Sequence, residues 1–243
     1  MDTGSRSEVA GAIKPGAIST GGSGGRSVRS GVSQIPVIGL VGGIGSGKSE
    51  VARLLAAAGC LVCDSDALAR EALRDPAIRT RLLDRWGSRG GEGVIGADGA
   101  IDRRAVAGIV FDDPAERAFL ESLTHPWIEA KRRTIFASAV PSTVACVIDA
   151  PLLLEAGLGA QCNAVFFVDA PRSTRLERVM RSRGWPEAEL ARREAAQLPI
   201  EEKRRRATVV LDNDGDRDAL RSQVEEALED LVARFRGHPG AAR

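Results

Sequence analysis

The fold is decided by Gly42-Gly43-Ile44-Gly45-Ser46-Gly47-Lys48-Ser49, a stretch that fits the pattern G-x-x-x-x-G-K-[ST]. An apolar run at residues 35–41 precedes it, and a helical pattern at residues 50–58 follows it and stops at Gly59. Glycines in such a loop let successive backbone N–H groups turn toward phosphate oxygens, and the helix adds its positive end. The sequence therefore predicts a strand, a phosphate-binding loop and a helix. A plain glycine turn beside a helix is the less specific alternative.

Two side chains of this phosphate loop (residues 42–49) carry specific expectations. Lys48 is predicted to reach the β- and γ-phosphates of ATP, and the Ser49 hydroxyl is predicted to bind Mg²⁺. The predicted ATP-binding residues of the loop are Gly43, Ile44, Gly45, Ser46, Gly47, Lys48 and Ser49. Kinases, GTPases, motors and transporters all use such loops, so other residues must decide the reaction.

Further short apolar runs predict the rest of the sheet. They lie at residues 61–63, 144–148, 164–168 and 209–211, and helical patterns separate them. Five strands that alternate with helices predict an α/β fold of three layers, with a mostly parallel sheet covered on both faces. Residues 66–139 show helical periodicity and no convincing strand, which predicts a helical insertion beside the sheet.

The N-terminal stretch has a different composition. Residues 1–34 contain eight Gly and seven Ser with almost no large apolar side chains, so we expect a disordered extension. This extension has the pattern of neither a secretory signal nor a transit peptide. Because the chain has no apolar stretch near the ~20 residues that span a bilayer, we expect no membrane partner.

The charge and the cysteine content indicate which partners and which cell compartment to expect. The 34 basic and 33 acidic side chains leave a net charge of +1, which gives no overall field that would favour nucleic acid. Cys60 and Cys63 form a C-x-x-C pair inside an apolar run, but no second pair or nearby His completes a zinc set. Buried thiols and a cytoplasmic location are expected.

Carboxylates follow two of the predicted strands. Asp64-Ser65-Asp66 ends the second strand and Asp149 ends the third, at the sheet edge where parallel sheets bind ligands. A carboxylate there can orient an acceptor hydroxyl and take its proton, and Asp149 can face Mg²⁺ or its waters. The alternative for Asp64 or Ser65 is that it caps the following helix.

Arginines recur every three residues after the fourth strand. Arg172, Arg175, Arg178 and Arg181, with Arg183 just beyond, are predicted to lie along one side of a helix that closes over the ATP phosphates. A solvated basic surface is the alternative for any one of them. The later run of residues 204–206 follows two glutamates and is interpreted as solvated.

These motifs, in this order, resemble the dephospho-coenzyme A kinase family from about residue 38 to residue 231. Besides the phosphate loop, the resemblance rests on Asp64-Ser65-Asp66, Ala69-Arg70, Ile101-Asp102-Arg103, Val110-Phe111, Thr124-His125-Pro126, Pro151-Leu152-Leu153-Leu154-Glu155, Gln197, and Asp212-Asn213 before Gly215. The P-L-L-x-E and H-P elements are more specific than the phosphate loop.

The resemblance implies a fold and a reaction. The expected fold has a nucleoside-monophosphate-kinase-like core at residues 35–65 and 140–236, with a substrate-binding helical insertion at 66–139, a lid at 172–200 and a C-terminal tail at 237–243. The expected reaction uses MgATP to phosphorylate the ribose 3′-hydroxyl of dephospho-coenzyme A, in a monomer or weak homo-oligomer. Another small-molecule or nucleoside monophosphate kinase is the main alternative. A GTPase-type switch or an ATP-driven interaction module is disfavoured because the chain has neither an N-K-x-D motif nor a recognisable switch region.

The resemblance also implies site residues. The catalytic residues are Asp66 as the base, Lys48 and Arg178, and further ATP-binding residues are Glu50, Arg181, Arg183 and Asn213. The substrate-binding residues are Asp64, Arg103, His125, Pro151, Leu152 and Glu155. For His125 a structural role through side-chain bonds in the insertion is the alternative.

The chain departs from the family pattern at two positions. Glu50 stands where the family usually has Thr after the loop, so a hydroxyl that would contact the α-phosphate is missing. Ser182 stands where the family usually has a second lid arginine, and it lies between Arg181 and Arg183. The sequence leaves open which of these two arginines acts.

Overall fold

A five-stranded parallel sheet forms the centre of the computed structural model, which describes residues 35–87, 93–96 and 98–237. The strands are β1 (Val37–Gly42), β2 (Leu61–Asp64), β3 (Cys146–Asp149), β4 (Ala164–Asp169) and β5 (Val209–Asp212). Their spatial order is β2-β3-β1-β4-β5, and every neighbouring pair is parallel. The predicted α/β fold with a five-stranded parallel sheet is confirmed.

Helices cover both faces of this sheet. One face packs against α1 (Lys48–Ala57) and α9 (Arg217–Gly237), and its core contains Leu40 and Phe166. The other face, with Val41 and Phe167, packs against residues 150–154, a 3₁₀ helix (Leu158–Gln161) and α8 (Ile200–Arg205). Because both faces are buried, the strands are apolar at successive positions instead of alternating.

The insertion between β2 and β3 is helical, as predicted. It contains α2 (Ser65–Ala72), α3 (Pro76–Trp86), α4 (Arg103–Asp112) and α5 (Pro114–Ala137). These helices have a separate apolar core that includes Leu82, Trp86 and Val106. Within the described part of the insertion there is no strand, and the only β pairing is an isolated bridge between Ile95 and Ile101.

Two further helices lie between β4 and α8. They are α6 (Arg172–Arg183) and α7 (Glu187–Glu194), and both lie within the predicted lid. The predicted extension at residues 1–34 lies outside the described residues, as do residues 238–243 of the predicted tail. Gly237, with which that tail was predicted to begin, is the last residue of α9.

The burial of both cysteines confirms the structural interpretation of the C-x-x-C pair. Cys60, Cys63 and Cys146 are buried, and burial raises the pKa of Cys60 to about 11. Among the described residues no cluster of three or more His, Cys, Asp or Glu side chains could hold a metal ion. No helix in the described ranges has the length and apolar character needed to cross a membrane.

Candidate active site

The strand register brings the predicted site residues to one edge of the sheet. Asp64 at the end of β2 lies opposite Asp149 at the end of β3, and Asp149 lies opposite Leu40 of β1. The chain continues from Leu40 through Gly42 into the phosphate loop. Two carboxylates and the loop therefore meet at the carboxyl ends of adjacent strands, the ligand-binding edge of an open parallel sheet.

The phosphate loop has the backbone that an anion site requires. Gly45 and Gly47 have φ angles of 82° and 90°, in the left-handed region that favours glycine. Gly47 is the N-cap of α1 and offers no side chain to cap it. The first N–H groups of a helix have no intrahelical acceptor, so those of Lys48 and Ser49 are directed to whatever lies beyond the helix end. The loop therefore fits the phosphates of a nucleotide.

Side chains from two other segments hold the loop through its carbonyl groups. Arg175 donates to the Ile44 carbonyl at 3.2 Å, and Arg178 donates to the Ser46 carbonyl at 3.3 Å. The Asn213 side-chain amide, which follows β5, donates to the same Ser46 carbonyl at 2.6 Å. The Ser46 N–H donates to the Gly43 carbonyl at 3.0 Å, whereas the N–H groups of Lys48 and Ser49 at the start of α1 remain for a ligand.

Lys48 and Asp149 form an ion pair at the centre of the site. Their side chains are only 18% and 12% exposed, so both charges are largely removed from water. A pair so placed is screened little by salt and depends strongly on both partners. The ammonium group that is predicted to bind phosphate thus lies beside the carboxylate that is predicted to face Mg²⁺.

Asp66 lies in the first turn of α2, next to these charges. Asp66 is exposed by surface area, yet partial desolvation of its carboxyl group raises its pKa; the negative charges of Asp64 and Asp149 raise it further, against the opposing effect of Lys48. A carboxylate whose pKa is shifted toward the working pH is a better proton acceptor. The electrostatics are those expected of a general base, and the role of Asp66 stays a prediction.

Asp64 is the N-cap of α2, as the alternative interpretation expected. Its Oδ1 accepts from the Ala67 N–H at 2.9 Å, and its Oδ2 lies 3.8 Å from an Arg70 nitrogen. Both oxygens thus have a protein partner, although the 3.8 Å ion pair of Oδ2 is longer than a hydrogen bond. Substrate binding by Asp64 stays a prediction.

The oxygen ligands fit a magnesium ion. Ser49 is exposed at the start of α1, and Asp149 lies at the end of the strand beside β1. A hydroxyl and a carboxylate are suitable ligands for Mg²⁺, which takes its remaining ligands from phosphates and water. The chemistry of this pair therefore agrees with the prediction for Ser49 and Asp149.

Glu50 does not leave a bare negative charge beside the loop. Its Oε1 accepts from Arg53 at 2.6 Å and from Arg217 of α9 at 2.7 Å. The hydrogen bonds from Arg53 and Arg217 lower the pKa of Glu50 to about 2. The two arginines therefore offset the charge that replaces the family's Thr, and ATP binding by Glu50 stays a prediction.

The predicted arginine face of α6 holds for neighbouring arginines but not for the whole series. Arg172 and Arg175 both pair with Glu194, and Arg175 and Arg178 both bond the phosphate loop. Arg175 is buried and bonded to Glu194 and the loop, whereas Arg172 and Arg181 are exposed. Residues three apart on an α-helix differ by about 60° in direction, so a series of four turns through half of the helix surface. The series therefore occupies several sides of α6, and Arg175 has a structural place that the sequence did not reveal.

The two candidate lid arginines have different surroundings. The Arg183 guanidinium lies 4.7 Å from the centre of the Trp185 ring, and Arg193 lies 4.2 Å from the same ring. Arg181 is exposed and makes no hydrogen bond or ion pair with any described residue. Arg181 is therefore the more available cation, while ATP binding by either residue stays a prediction.

The predicted substrate residues are spread over two regions. Arg103 begins α4 and His125 lies in α5, and both are exposed without hydrogen bonds to described residues, so the structural alternative for His125 has no support. Leu152 is 46% exposed in the segment after β3. Glu155, by contrast, accepts a hydrogen bond from the Leu198 N–H at 2.9 Å. Substrate binding by these residues and by Pro151 stays a prediction.

Sequence reasoning missed a buried lysine beside this segment. Lys203 is 1% exposed and pairs with Glu155 at 3.0 Å. The chain contains only four lysines among its 34 basic residues, and one of the other three is Lys48 of the phosphate loop. That scarcity was the one available signal, because Lys203 precedes three arginines and resembles part of a solvated run.

Comparison with known proteins identifies the family. The family model described as dephospho-CoA kinase matches residues 36–219. The chain belongs to the dephospho-CoA kinase family. A dephospho-CoA kinase of Deinococcus radiodurans is 43% identical over 195 residues, which cover 80% of this chain and 91% of that protein. One of Anaeromyxobacter dehalogenans is 44% identical over 196 residues, which cover 80% and 92%.

Solved structures of two proteins support the same fold. TT1252 from Thermus thermophilus is 37% identical with a TM-score of 0.69, over 83% of this chain and 98% of that one. A dephospho-CoA kinase from Campylobacter jejuni is 21% identical with a TM-score of 0.61, over 82% and 98%. The second likeness concerns the fold alone.

Proposed function

We propose that this chain transfers the γ-phosphate of ATP to the 3′-hydroxyl of the ribose of dephospho-CoA and so produces CoA and ADP. The observation that carries the proposal is the meeting of the phosphate loop, the Lys48–Asp149 ion pair and Asp66 at one edge of the sheet, in a member of this family. Such an edge offers a donor site and a proton acceptor side by side.

Each residue has a role that follows from its chemistry. The loop N–H groups bind the ATP phosphates, and Lys48 stabilises the charge that develops on them during transfer. Asp66 orients the acceptor hydroxyl and takes its proton. Arg178, bonded to the Ser46 and Asn213 carbonyls, holds the loop from the side of α6 and carries a positive charge close to the phosphates.

Ser49 and Asp149 are the residues that would hold Mg²⁺. The ion would supply positive charge to the donor phosphates. Of the two, Asp149 is the one already fixed by the protein, because Lys48 and the pairing of β3 with β1 hold it. Ser49 takes its position from the start of α1.

The proposal also covers the cellular location, the partners and the oligomeric state of the enzyme. A balanced surface charge, free buried thiols and a small-molecule family support a cytoplasmic protein that acts without nucleic acid, as a monomer or weak homo-oligomer. Gel filtration over a range of protein concentrations tests the last point.

An acceptor screen with MgATP tests the proposal. Purified protein is incubated with dephospho-CoA, nucleoside monophosphates and small alcohols, and ADP release is measured together with the mass of the product. We expect ADP release and a product one phosphate heavier with dephospho-CoA. No ADP release above background with dephospho-CoA would sink the proposal, and turnover with another acceptor would favour the alternative small-molecule or nucleoside monophosphate kinase.

A further inference from the structure

Lys203 joins two segments that are far apart in sequence. Its ammonium group donates to Gln197 Oε1 at 2.9 Å and to the Pro151 carbonyl at 3.4 Å, and it pairs with Glu155 Oε1 at 3.0 Å. Pro151 and Glu155 belong to the segment that follows β3, whereas Gln197 lies between α7 and α8. One buried cation therefore links the segment after Asp149 to the end of the predicted lid.

Glu155 strengthens the same link. Its Oε1 also accepts from the Leu198 N–H at 2.9 Å, next to Gln197 in sequence. Burial raises the pKa of Glu155, but the hydrogen bonds from Leu198 and Lys203 outweigh burial and lower it overall. Glu155 is thus ionised and committed to protein partners, which argues against a direct contact between this oxygen and a substrate.

Two of the linked residues, Gln197 and Lys203, line a pocket beside the phosphate loop. The pocket has a volume of about 200 Å³ and is lined by Gly43 and Ile44 of the loop, and by Gln197, Ile200 and Lys203 among others. It meets the loop at its first residues. Asn213 meets the loop from the other end, at Ser46.

The segment after β3 that Lys203 holds is the one predicted to bind substrate. It begins just after Asp149 of the Lys48–Asp149 ion pair and contains Pro151 and the half-exposed Leu152. Lys203 ties this segment to Gln197 in the wall of the pocket. A charge as deeply buried as that of Lys203 is retained only where its partners are held in fixed positions.

We propose that Lys203 is a positioning residue, whose ammonium group fixes Glu155, Gln197 and the Pro151 carbonyl and thereby holds the predicted substrate segment after β3 in place against the pocket beside the phosphate loop. The proposal rests on the proposed function. It converts Glu155 from a substrate ligand into a partner of Lys203.

The first test is the variant Lys203→Met, which keeps the length of the side chain and removes the charge. We expect kcat/KM for dephospho-CoA to fall by on the order of 10²-fold, because displacement of groups that orient a substrate has effects of that size. The dissociation constant for ATP, measured by titration without acceptor, should stay within about threefold, because Lys203 makes no hydrogen bond or ion pair with the phosphate loop. Arg234→Met, which removes an exposed cation on α9 outside the predicted substrate-binding insertion, is the control and should change neither constant.

A second variant separates positioning from folding, because Lys203→Met leaves Glu155 buried without its cation. Lys203→Met combined with Glu155→Gln removes both charges and should recover the melting temperature. If Lys203 positions the pocket, kcat/KM for dephospho-CoA stays low in this double variant although stability returns. Recovery of kcat/KM together with stability would overturn the proposal, as would an equal loss of ATP affinity in Lys203→Met.

The wild-type assay separates this proposal from the function on which it rests. If wild-type protein forms no CoA, the proposed function fails, and the same variants are measured with whichever acceptor the wild type phosphorylates. A loss of kcat/KM for that acceptor, with ATP affinity and the stability of the double variant retained, supports the positioning role. An unchanged kcat/KM for that acceptor contradicts the positioning role.

Discussion

Replacing Asp66 by Asn should make the protein slower and more stable at once. The substitution keeps the size of the side chain and removes the group that is proposed to take the acceptor's proton. Positioned bases of this kind contribute about 10²- to 10⁴-fold to rates, so kcat should fall by at least about 10²-fold, which corresponds to about 2.7 kcal/mol of transition-state free energy. ATP affinity should change little, because the phosphate loop stays intact.

A small gain in stability follows from the raised pKa of Asp66, small because the residue is exposed and solvent screens its charge. A carboxyl group whose pKa is higher in the folded than in the unfolded state favours folding while it is protonated. That contribution is fully present below the ordinary pKa of 3.8 and is lost as the pH rises through the folded-state pKa. At pH 7 the ionised carboxylate therefore opposes folding, and Asn relieves this, so the melting temperature should rise.

Two measurements on the same preparation check the prediction. Initial rates of ADP release with MgATP and dephospho-CoA give kcat, and thermal unfolding at pH 7 and pH 4 gives the stability difference, which should shrink at the lower pH. Asp64→Asn is the matched control, since Asn caps helices as well as Asp does and α2 should keep its stability. Near-normal kcat in Asp66→Asn would remove Asp66 as the base, and a lower melting temperature at pH 7 would refute the electrostatic argument.

Three other substitutions probe the loop and its surroundings. Gly47→Ala should raise KM for ATP by about tenfold or more. The φ of 90° at this position costs an L residue about 1–2 kcal/mol, and the new Cβ would overlap the Asn213 amide. An unchanged KM would contradict the phosphate-binding conformation of the loop. Lys48→Ala should lower kcat/KM by about 10²- to 10³-fold and should also lower the melting temperature, because Asp149 loses its cation. Steady-state rates and thermal unfolding measure the two effects. An unchanged kcat/KM would argue against phosphate binding by Lys48. Glu50→Gln should lower the free energy of unfolding by on the order of 0.5 kcal/mol above pH 4.5, and this loss should disappear as the pH falls toward 2, because the paired carboxylate has a folded-state pKa of about 2. Denaturant titrations at pH 6 and pH 3 should show that the difference between variant and wild type shrinks at the lower pH. A difference that does not depend on pH would exclude the ion pairs as its source.

Much of the fold could be predicted because the apolar and helical patterns of short stretches agreed with the general rules of parallel-sheet topology. The apolar run before Gly42 and the helical pattern after Lys48 fixed the first strand and helix, and the glycines between them allow little else. The rule that parallel strands end at a common edge placed Asp64 beside Asp149 before any register was known. These features depend on short stretches of sequence and on one topological rule.

The arginines of α6 could not be placed in the same way. Their spacing indicates a helix, but which members face inward depends on how α6 packs against the phosphate loop and α7. Arg175 is buried because Glu194 and the Ile44 carbonyl satisfy its guanidinium, and both partners are distant in sequence. Spacing alone does not contain that information.

Lys203 shows the same limit for a buried charge. Its neighbours in sequence are charged and exposed, and only its partners Glu155 and Gln197 explain its burial. The carboxylate of Glu155 was predicted to bind substrate, because the motif identifies the residue without revealing that its oxygen is already used. Motifs locate such residues, and the fold decides what they contact.

The shared bond to the Ser46 carbonyl constrains how the enzyme can move. Arg178 on α6 and Asn213 after β5 both donate to this one oxygen, and Arg178 also donates to the Asn213 carbonyl at 2.9 Å. The first two turns of α6 are therefore fastened to the nucleotide loop. Arg172 and Arg175 in turn pair with Glu187 and Glu194 of α7, so α7 is coupled through the start of α6 to the same loop. A displacement of α7 would therefore be transmitted to the carbonyl groups that give the phosphate loop its shape.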